Sequence, residues 1–335
     1  MHHAARLGIF LLALVPAACN GGSSGSTPPV ASDSVHHAVP NKAALLYVAN
    51  RGYDTGSGDG AVLEFRQTDS GNVPPRFSIS GSLTGVTDPV AIAVDATKRV
   101  YLANDSTRTI YEFAPGAQGN VAPAATITGS LTRLKAVEGI VIDAAGNVWA
   151  SNYRPKPEIA EFAAGASGNV APILRIAGKK TKLVGPGAMA FDARGNLYVC
   201  DFYANSILVF APGSSGNVAP AADITGSNTQ LDDPFGIAID PSGNVFVANN
   251  LGASITTYAA GSNGNVAPAA EITGSATALN RPGGVALDPA GDVFVTDNIA
   301  NAVFKFAAGA NGNVAPVSTI QGSNTALLDP FGPAL

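Results

Sequence analysis

The stretch DPFGIAIDPSGNVFVANNLGASITTYAAGSNGNVAPAAEITGS, Asp233 to Ser275, reads as four short extended segments separated by turn chemistry. In its first segment Ile237 and Ile239 point to one side while Gly236 and Ala238 point to the other, as the two-residue period of a strand requires. In the second, Val245 and Val247 oppose Phe246 and Ala248, so both faces are apolar and want cover. Between them, Asp240-Pro-Ser-Gly-Asn244 suits a type I turn closed by a left-handed glycine. The same turn recurs at Asp143 to Asn147, Asp192 to Asn196 and Asp288 to Asp292. The copy at Asp95 to Arg99 carries Lys98 where the others have glycine, and is expected to be looser. One such unit makes one four-stranded sheet.

The unit repeats. The first glycine of each Gly-Asn-Val lies at 71, 119, 168, 216, 264 and 312, in steps of 48 or 49 residues. Sheets with a bulky side and a small side can nest against copies of themselves, and identical four-stranded sheets at this period, set radially, make a β-propeller. The fold class is therefore all-β, a six-bladed propeller over residues 44–335. The segment ALLYVAN near its start corresponds to the second strand of a unit, whereas DPFGPAL at its end corresponds to a first strand. Pro330 to Leu335 is expected to pair beside Leu45 to Asn50, completing one blade from both ends and leaving no open edge.

Composition agrees with a single large core. A chain of 335 residues with 46% hydrophobic and 13% charged residues buries roughly three quarters of its unfolded surface. A net charge of −5 without a basic run excludes a nucleic-acid footprint, and Lys179, Lys180 and Lys182 read as a solvated loop. Residues 1–19 read as an export signal, with Arg6 ahead of an apolar run from Leu7 to Val15 that is too short to span a bilayer. Cys19, followed by Gly/Ser/Pro-rich sequence, resembles the acylated cysteine of a bacterial lipobox. Pro16 stands where that motif usually has Leu, and a plain secretory peptide is the alternative. Residues 20–43 have linker composition. The domain is expected to be monomeric and periplasmic or cell-surface, held to a membrane if Cys19 is acylated. The other cysteine, Cys200, occupies the place of Ala103, Ala248 and Thr296 in sister units and reads as a small core filler.

Units of the form P-x-G-I-A-x-D, then G-N-x-Y-V-A-D/N, then x-I-x-x-F resemble the NHL repeat family and related six-bladed propellers of the SMP-30/gluconolactonase and streptogramin-lyase type. Those families include lactonases, lyases and binding modules, so the resemblance implies fold more than activity. The lyases rely on histidine, and all four histidines here, His2, His3, His36 and His37, precede the propeller. The lactonases imply a calcium cage of carboxylates and asparagines at the channel mouth. Glu138-Gly139 stands where five sister units carry Pro89, Pro186, Pro234, Pro282 and Pro330, and Asp88, Asp233 and Asp329 precede three of those prolines. These four acids are the calcium candidates. The Asp-Pro pairs are equally explained as turn starters, and Asn104, Asn152 and Asn249 as turn caps.

Departures from a repeat are where function belongs. The loops before the first strand and after the second share one face, and there the units differ most. The first blade expands its loop to NRGYDTGSGDGAV, in which Asp54 and Asp59 are a weaker cation candidate; the third has NYRPKPE and the fourth DFYANS. Tyr53, Tyr153, Arg154, Phe202, Tyr203, Phe235, Arg281 and Phe331 are expected to share that rim and to bind a sugar, peptide or protein surface. The sequence thus points to a non-catalytic module binding an unidentified protein, peptide or saccharide, with a calcium-dependent lactonase as the alternative.

Overall fold

A computed structural model describes residues 44–52 and 60–335; the export segment, the linker, Cys19, Tyr53, Asp54 and Asp59 lie outside the described residues. Among the described residues, twenty-four strands form six four-stranded antiparallel sheets. Blade 1 holds β1 (Leu45–Asn50), β2 (Ala61–Arg66), β3 (Phe77–Ile79) and, from the far end of the chain, β24 (Pro330–Ala334). Blades 2 to 6 follow in chain order, their innermost strands being Pro89–Val94, Val137–Ile142, Pro186–Phe191, Pro234–Ile239 and Pro282–Leu287. The ring closes as the sequence implied. Strand β24 pairs antiparallel with β1, setting Tyr47 opposite Ala334 and Asn50 opposite Pro330.

The core lies between blades. Six apolar clusters fill the six interfaces; one, for example, joins Tyr101, Ile110 and Ile127 of blade 2 to Val137, Ile140 and Phe162 of blade 3. Phe65, Phe113, Phe162, Phe210, Tyr258 and Phe306 occupy the same third-strand position in successive blades, each fully buried. At the axis the innermost strands crowd backbone against backbone. A side chain at Gly139 would strike the carbonyl oxygen of Gly187, and this closeness leaves an axial cavity of only about 80 Å³.

The Gly-Asn-Val phrase has its answer here, and it is not a strand of its own blade. Its glycine bridges in parallel to the outermost strand of the preceding blade: Gly119 to Ile79, Gly168 to Ile127, and so on round to Gly71 with Ile320. The Gly119 amide donates to the Ser78 carbonyl at 2.6 Å and its carbonyl accepts from Ser80 at 3.2 Å. The asparagine that follows reaches further back, where Asn120 Oδ1 accepts from the Leu83 amide and Asn169 Oδ1 from the Leu131 amide, each at 2.7 Å. The glycine of the preceding Thr-Gly-Ser makes room. Gly129 has φ 111, and a Cβ there would sit 2.6 Å from the Asn169 side chain. Backbone conformation and close approach both demand glycine at that point.

The hairpin turns form as read from the sequence, with Gly146, Gly195, Gly243 and Gly291 at φ 81 to 88. The Lys98 copy differs from expectation. Lys98 itself takes φ 67, and both turn bonds form: Lys98 amide to Asp95 carbonyl at 2.9 Å, Asp95 amide to Arg99 carbonyl at 3.1 Å. The hairpin is as tight as its sisters because Asp95 Oδ1 accepts from the Thr97 amide, the Thr97 hydroxyl and the Arg99 amide; the departure from glycine is carried as left-handed strain at one lysine.

Deleting residues 330–335 strips β24 from β1 and exposes a sheet edge. Thermal unfolding of the shortened chain is expected to show a loss of several kcal/mol, a large share of the stability of an ordinary domain. An unchanged melting temperature would contradict closure by this strand.

Candidate functional site

The loop face is built on three positions that every blade repeats and fills differently. The start of each innermost strand pairs with the end of the second: Pro89 with Asn104, Val137 with Asn152, Pro186 with Asp201, Pro234 with Asn249, Pro282 with Asp297 and Pro330 with Asn50. Those Asn and Asp side chains are buried fasteners. Asn104 Oδ1 accepts from the Thr87 and Asp88 amides, both at 2.9 Å, and Asp201 from the Val184 and Gly185 amides, both at 2.7 Å. They act as turn caps rather than as ligands presented to solvent.

This register corrects the reading of Glu138. Val137, not Glu138, takes the proline's place, and the extra residue of blade 3 enters later, in the loop after Asn152. A slip of one residue in a strand exchanges its faces. Glu138 therefore shares its position with Phe331, Val90, Gly187, Phe235 and Gly283, the residues that look into the mouth. One place after each second strand stand Arg51, Asp105, Tyr153, Phe202, Asn250 and Asn298, whose amides donate to the carbonyls of Asp329, Asp88, Ala136, Gly185, Asp233 and Arg281 across the loop.

Half of the mouth is aromatic. Ring centroids run from Tyr153 to Phe202 at 5.6 Å, Phe202 to Phe235 at 5.6 Å and Phe235 to Phe331 at 5.4 Å. Tyr203 packs on Phe202 at 4.4 Å and is 65% exposed, whereas Phe331 is 8% exposed and forms the floor rather than the rim. Arginines end the row, with Arg154 over Tyr153 at 4.9 Å and Arg51 over Phe331 at 4.6 Å. Glycine permits this arrangement at Gly187, where a Cβ would stand 3.3 Å from the Phe202 ring.

The other half is charged. Arg51 Nε donates to Asp88 Oδ1 at 2.8 Å and lies 3.9 Å from Asp329 Oδ2. Asp105 Oδ1 is buried without a hydrogen-bond partner among the described residues, and burial, then the charge of Asp88, pushes its carboxyl up. Glu138 heads the axial cavity, and burial pushes its pKa up to about 8, reinforced by Asp105 and opposed by Arg51.

Of the residues expected here, Tyr153, Phe202, Tyr203, Phe235 and Phe331 meet in one row with Arg154 at its end. Arg281 is exposed on the neighbouring loop, where its charge opposes the raised pKa of Asp233. The four calcium candidates do not gather. Asp88 is held by Arg51, Asp329 accepts from Asn298 Nδ2 at 3.1 Å, and no group of three or more His, Cys, Asp or Glu among the described residues is placed to hold a metal ion. Arg51, Asp105, Asn250 and Asn298 were missed, although a single column read across the six units contains all of them.

Comparison with known proteins supports this architecture. The family model described as NHL repeat matches residues 279–306. No curated protein sequence matches the chain. Among solved structures, a Bacteroides caccae protein of unknown function aligns with TM-score 0.61 at 10% identity, covering 87% of this chain and 98% of that one. A chain of the nidogen/laminin complex aligns with TM-score 0.60 at 16% identity, covering 87% and 97%. The periplasmic gluconolactonase PpgL of Pseudomonas aeruginosa aligns with TM-score 0.58 at 17% identity, covering 84% of each. At these identities the likeness is one of fold.

Glu138 gives this face a pH signature. Its folded pKa of about 8 exceeds the unfolded value near 4.5, so the native state binds the extra proton and its contribution, fully present below 4.5, is lost as pH rises through 8. Glu138→Gln should abolish that decline and melt higher than the parent at pH 8.5, with little difference at pH 4. Parallel stability profiles for the two proteins would contradict the buried carboxyl.

Proposed function

We propose that this chain is an extracytoplasmic β-propeller that binds a ligand or protein partner on its loop face without chemistry. The observation that carries this reading is the row Tyr153, Phe202, Phe235 and Phe331, ended by Arg154 and Arg51, over an axis that backbone packing closes. Aromatic and arginine side chains in one partly buried cluster are the groups that anchor interfaces. Further out on the same face Tyr203, Leu251 and Ile299 are more than half exposed, extending the apolar area over three adjacent blades. Export, and tethering through Cys19 if it is acylated, would present this face outside the cytoplasm.

The lactonase alternative takes support from the gluconolactonase fold neighbour. Against it, a calcium cage needs ionised, convergent oxygens. Here Asp88 is committed to Arg51, and no group of three or more His, Cys, Asp or Glu among the described residues is placed to hold the ion.

Two assays separate the readings. The propeller is expected to hydrolyse no aldonolactone with or without calcium, and to bind members of an immobilised oligosaccharide and peptide panel through a surface lost in Phe202→Ala/Tyr203→Ala, which should melt within a few degrees of the parent. Calcium-dependent lactone turnover that disappears in Glu138→Gln would overturn the binding reading, as would panel binding indifferent to the aromatic substitutions.

A further inference from the structure

On the face opposite the mouth, a cleft of about 650 Å³ opens between blades 3 and 4. That is the size of a small-molecule site. Trp149, Leu174, Phe191 and Leu197 wall it, with the Trp149 and Phe191 rings edge to face at 5.5 Å. Three carboxylates, Asp143, Glu161 and Asp192, also line it. Glu161 is 7% exposed; one of its oxygens accepts from Asn147 Nδ2 at 2.8 Å, and the other takes no hydrogen bond among the described residues. Asp143 Oδ2 accepts from Asn147 Nδ2 at 3.0 Å and from Trp149 Nε1 at 3.1 Å.

The repeat supplies its own control. Blade 2 builds the same corner from Asp95, Arg99, Tyr101 and Glu112, at the registers that Asp143, Asn147, Trp149 and Glu161 occupy in blade 3. There the Arg99 guanidinium donates to Glu112 at 2.7 Å. In blade 1 Arg76 lies 3.9 Å from Glu64, and in blade 6 Lys305 reaches Asp292 at 2.8 Å and Asp288 at 3.6 Å. Blade 3 keeps both carboxylates, exchanges the arginine for Asn147, and has no ion pair at this corner among the described residues. Arg194 stands at the exposed rim beside Asp192, whose carboxyl is held down against burial by hydrogen bonds from Asn196 first, and then by the Arg194 amide and charge. Burial, then the charge of Asp143, pushes the Glu161 carboxyl up, as an uncompensated pair requires.

We propose that this cleft binds a small organic cation, an ammonium group carried on a flat ring. Its ammonium takes the place that the Arg99 guanidinium fills in blade 2, bonding the free oxygen of Glu161, and its ring lies against Trp149 and Phe191. A charge-assisted hydrogen bond and ring contact act together there in a partly desolvated site. The proposal is independent of the loop-face reading, since it uses the other end of the molecule.

Trp149 is the only tryptophan of the chain, so intrinsic fluorescence reads the cleft directly. Titration with benzylammonium should give a saturable change, with benzyl alcohol and benzoate about tenfold weaker or undetectable. Glu161→Gln, which keeps the bond to Asn147, should weaken benzylammonium at least about tenfold at an unaltered melting temperature. Asn147→Arg, which restores the blade 2 cation, should abolish binding without lowering the melting temperature. Benzyl alcohol binding as tightly as benzylammonium, no saturable response to benzylammonium, or undiminished benzylammonium binding in Glu161→Gln would each overturn the proposal.

Discussion

Each blade is tied to the one before it by a glycine and an asparagine, and the remainder of the architecture depends on that clasp. A four-stranded sheet of this size has an outer strand of only three or four residues, too short to protect its own edge. The glycine at φ near 70 bonds that strand in parallel from the next blade, and the asparagine caps the turn that follows it. Six such clasps run round the perimeter, the last of them joining Gly71 and Asn72 to residues near the end of the chain. Ring closure is thereby made twice, once by β24 inside blade 1 and once by this outer clasp.

Because the clasps and the inter-blade cores consume the repeated residues, the unrepeated ones are released from structural duty. At the mouth, one column of the repeat reads Arg51, Asp105, Tyr153, Phe202, Asn250 and Asn298, and another reads Phe331, Val90, Glu138, Gly187, Phe235 and Gly283. The two columns interlock. A glycine in the second lets the residue of the first lie over it, as Phe202 lies over Gly187 and Asn298 over Gly283. The face is in this way divided into an aromatic half and a charged half. The opposite face shows the same logic by subtraction, where blade 3 carries Asn147 at the place of the Arg99 that pairs with Glu112 in blade 2.

The architecture was legible because strand period, turn glycines and repeat length all point to the same ring. Blade number and the pairing of β24 with β1 followed from the phase of the first and last segments. The role of Gly-Asn-Val was not legible, because it is a contact between units and the sequence of one unit contains only half of it. Glu138 was misplaced although its spacing was legible: Pro89 and Val137 lie equally far after the glycine of Gly-Asn-Val, as do Asn104 and Asn152, so the extra residue of blade 3 had to follow Asn152, and the pairing of Val137 with Asn152 agrees. The aromatic members of the mouth were found because bulky rings stand out against Gly, Ala and Val. Its polar members were not, since Asn250 and Asn298 differ little from the caps beside them. The cleft of blade 3 was invisible for want of a signal within the blade: its mark is the absence at Asn147 of an arginine present at Arg99.

The account rests on the clasps being true structural bonds and not surface ornament, and native-state hydrogen exchange tests that directly. The amides of Leu83, Leu131, Lys180, Asn228, Ala276 and Asn324 belong to exposed residues of the turns and short 3-10 segments between blades, and each donates to the asparagine of the next blade at 2.7 or 2.8 Å. All six are predicted to exchange slowly, with opening free energies approaching that of global unfolding. Exchange of these amides at the rate of unprotected loop residues, while the strand amides stay protected, would contradict the account.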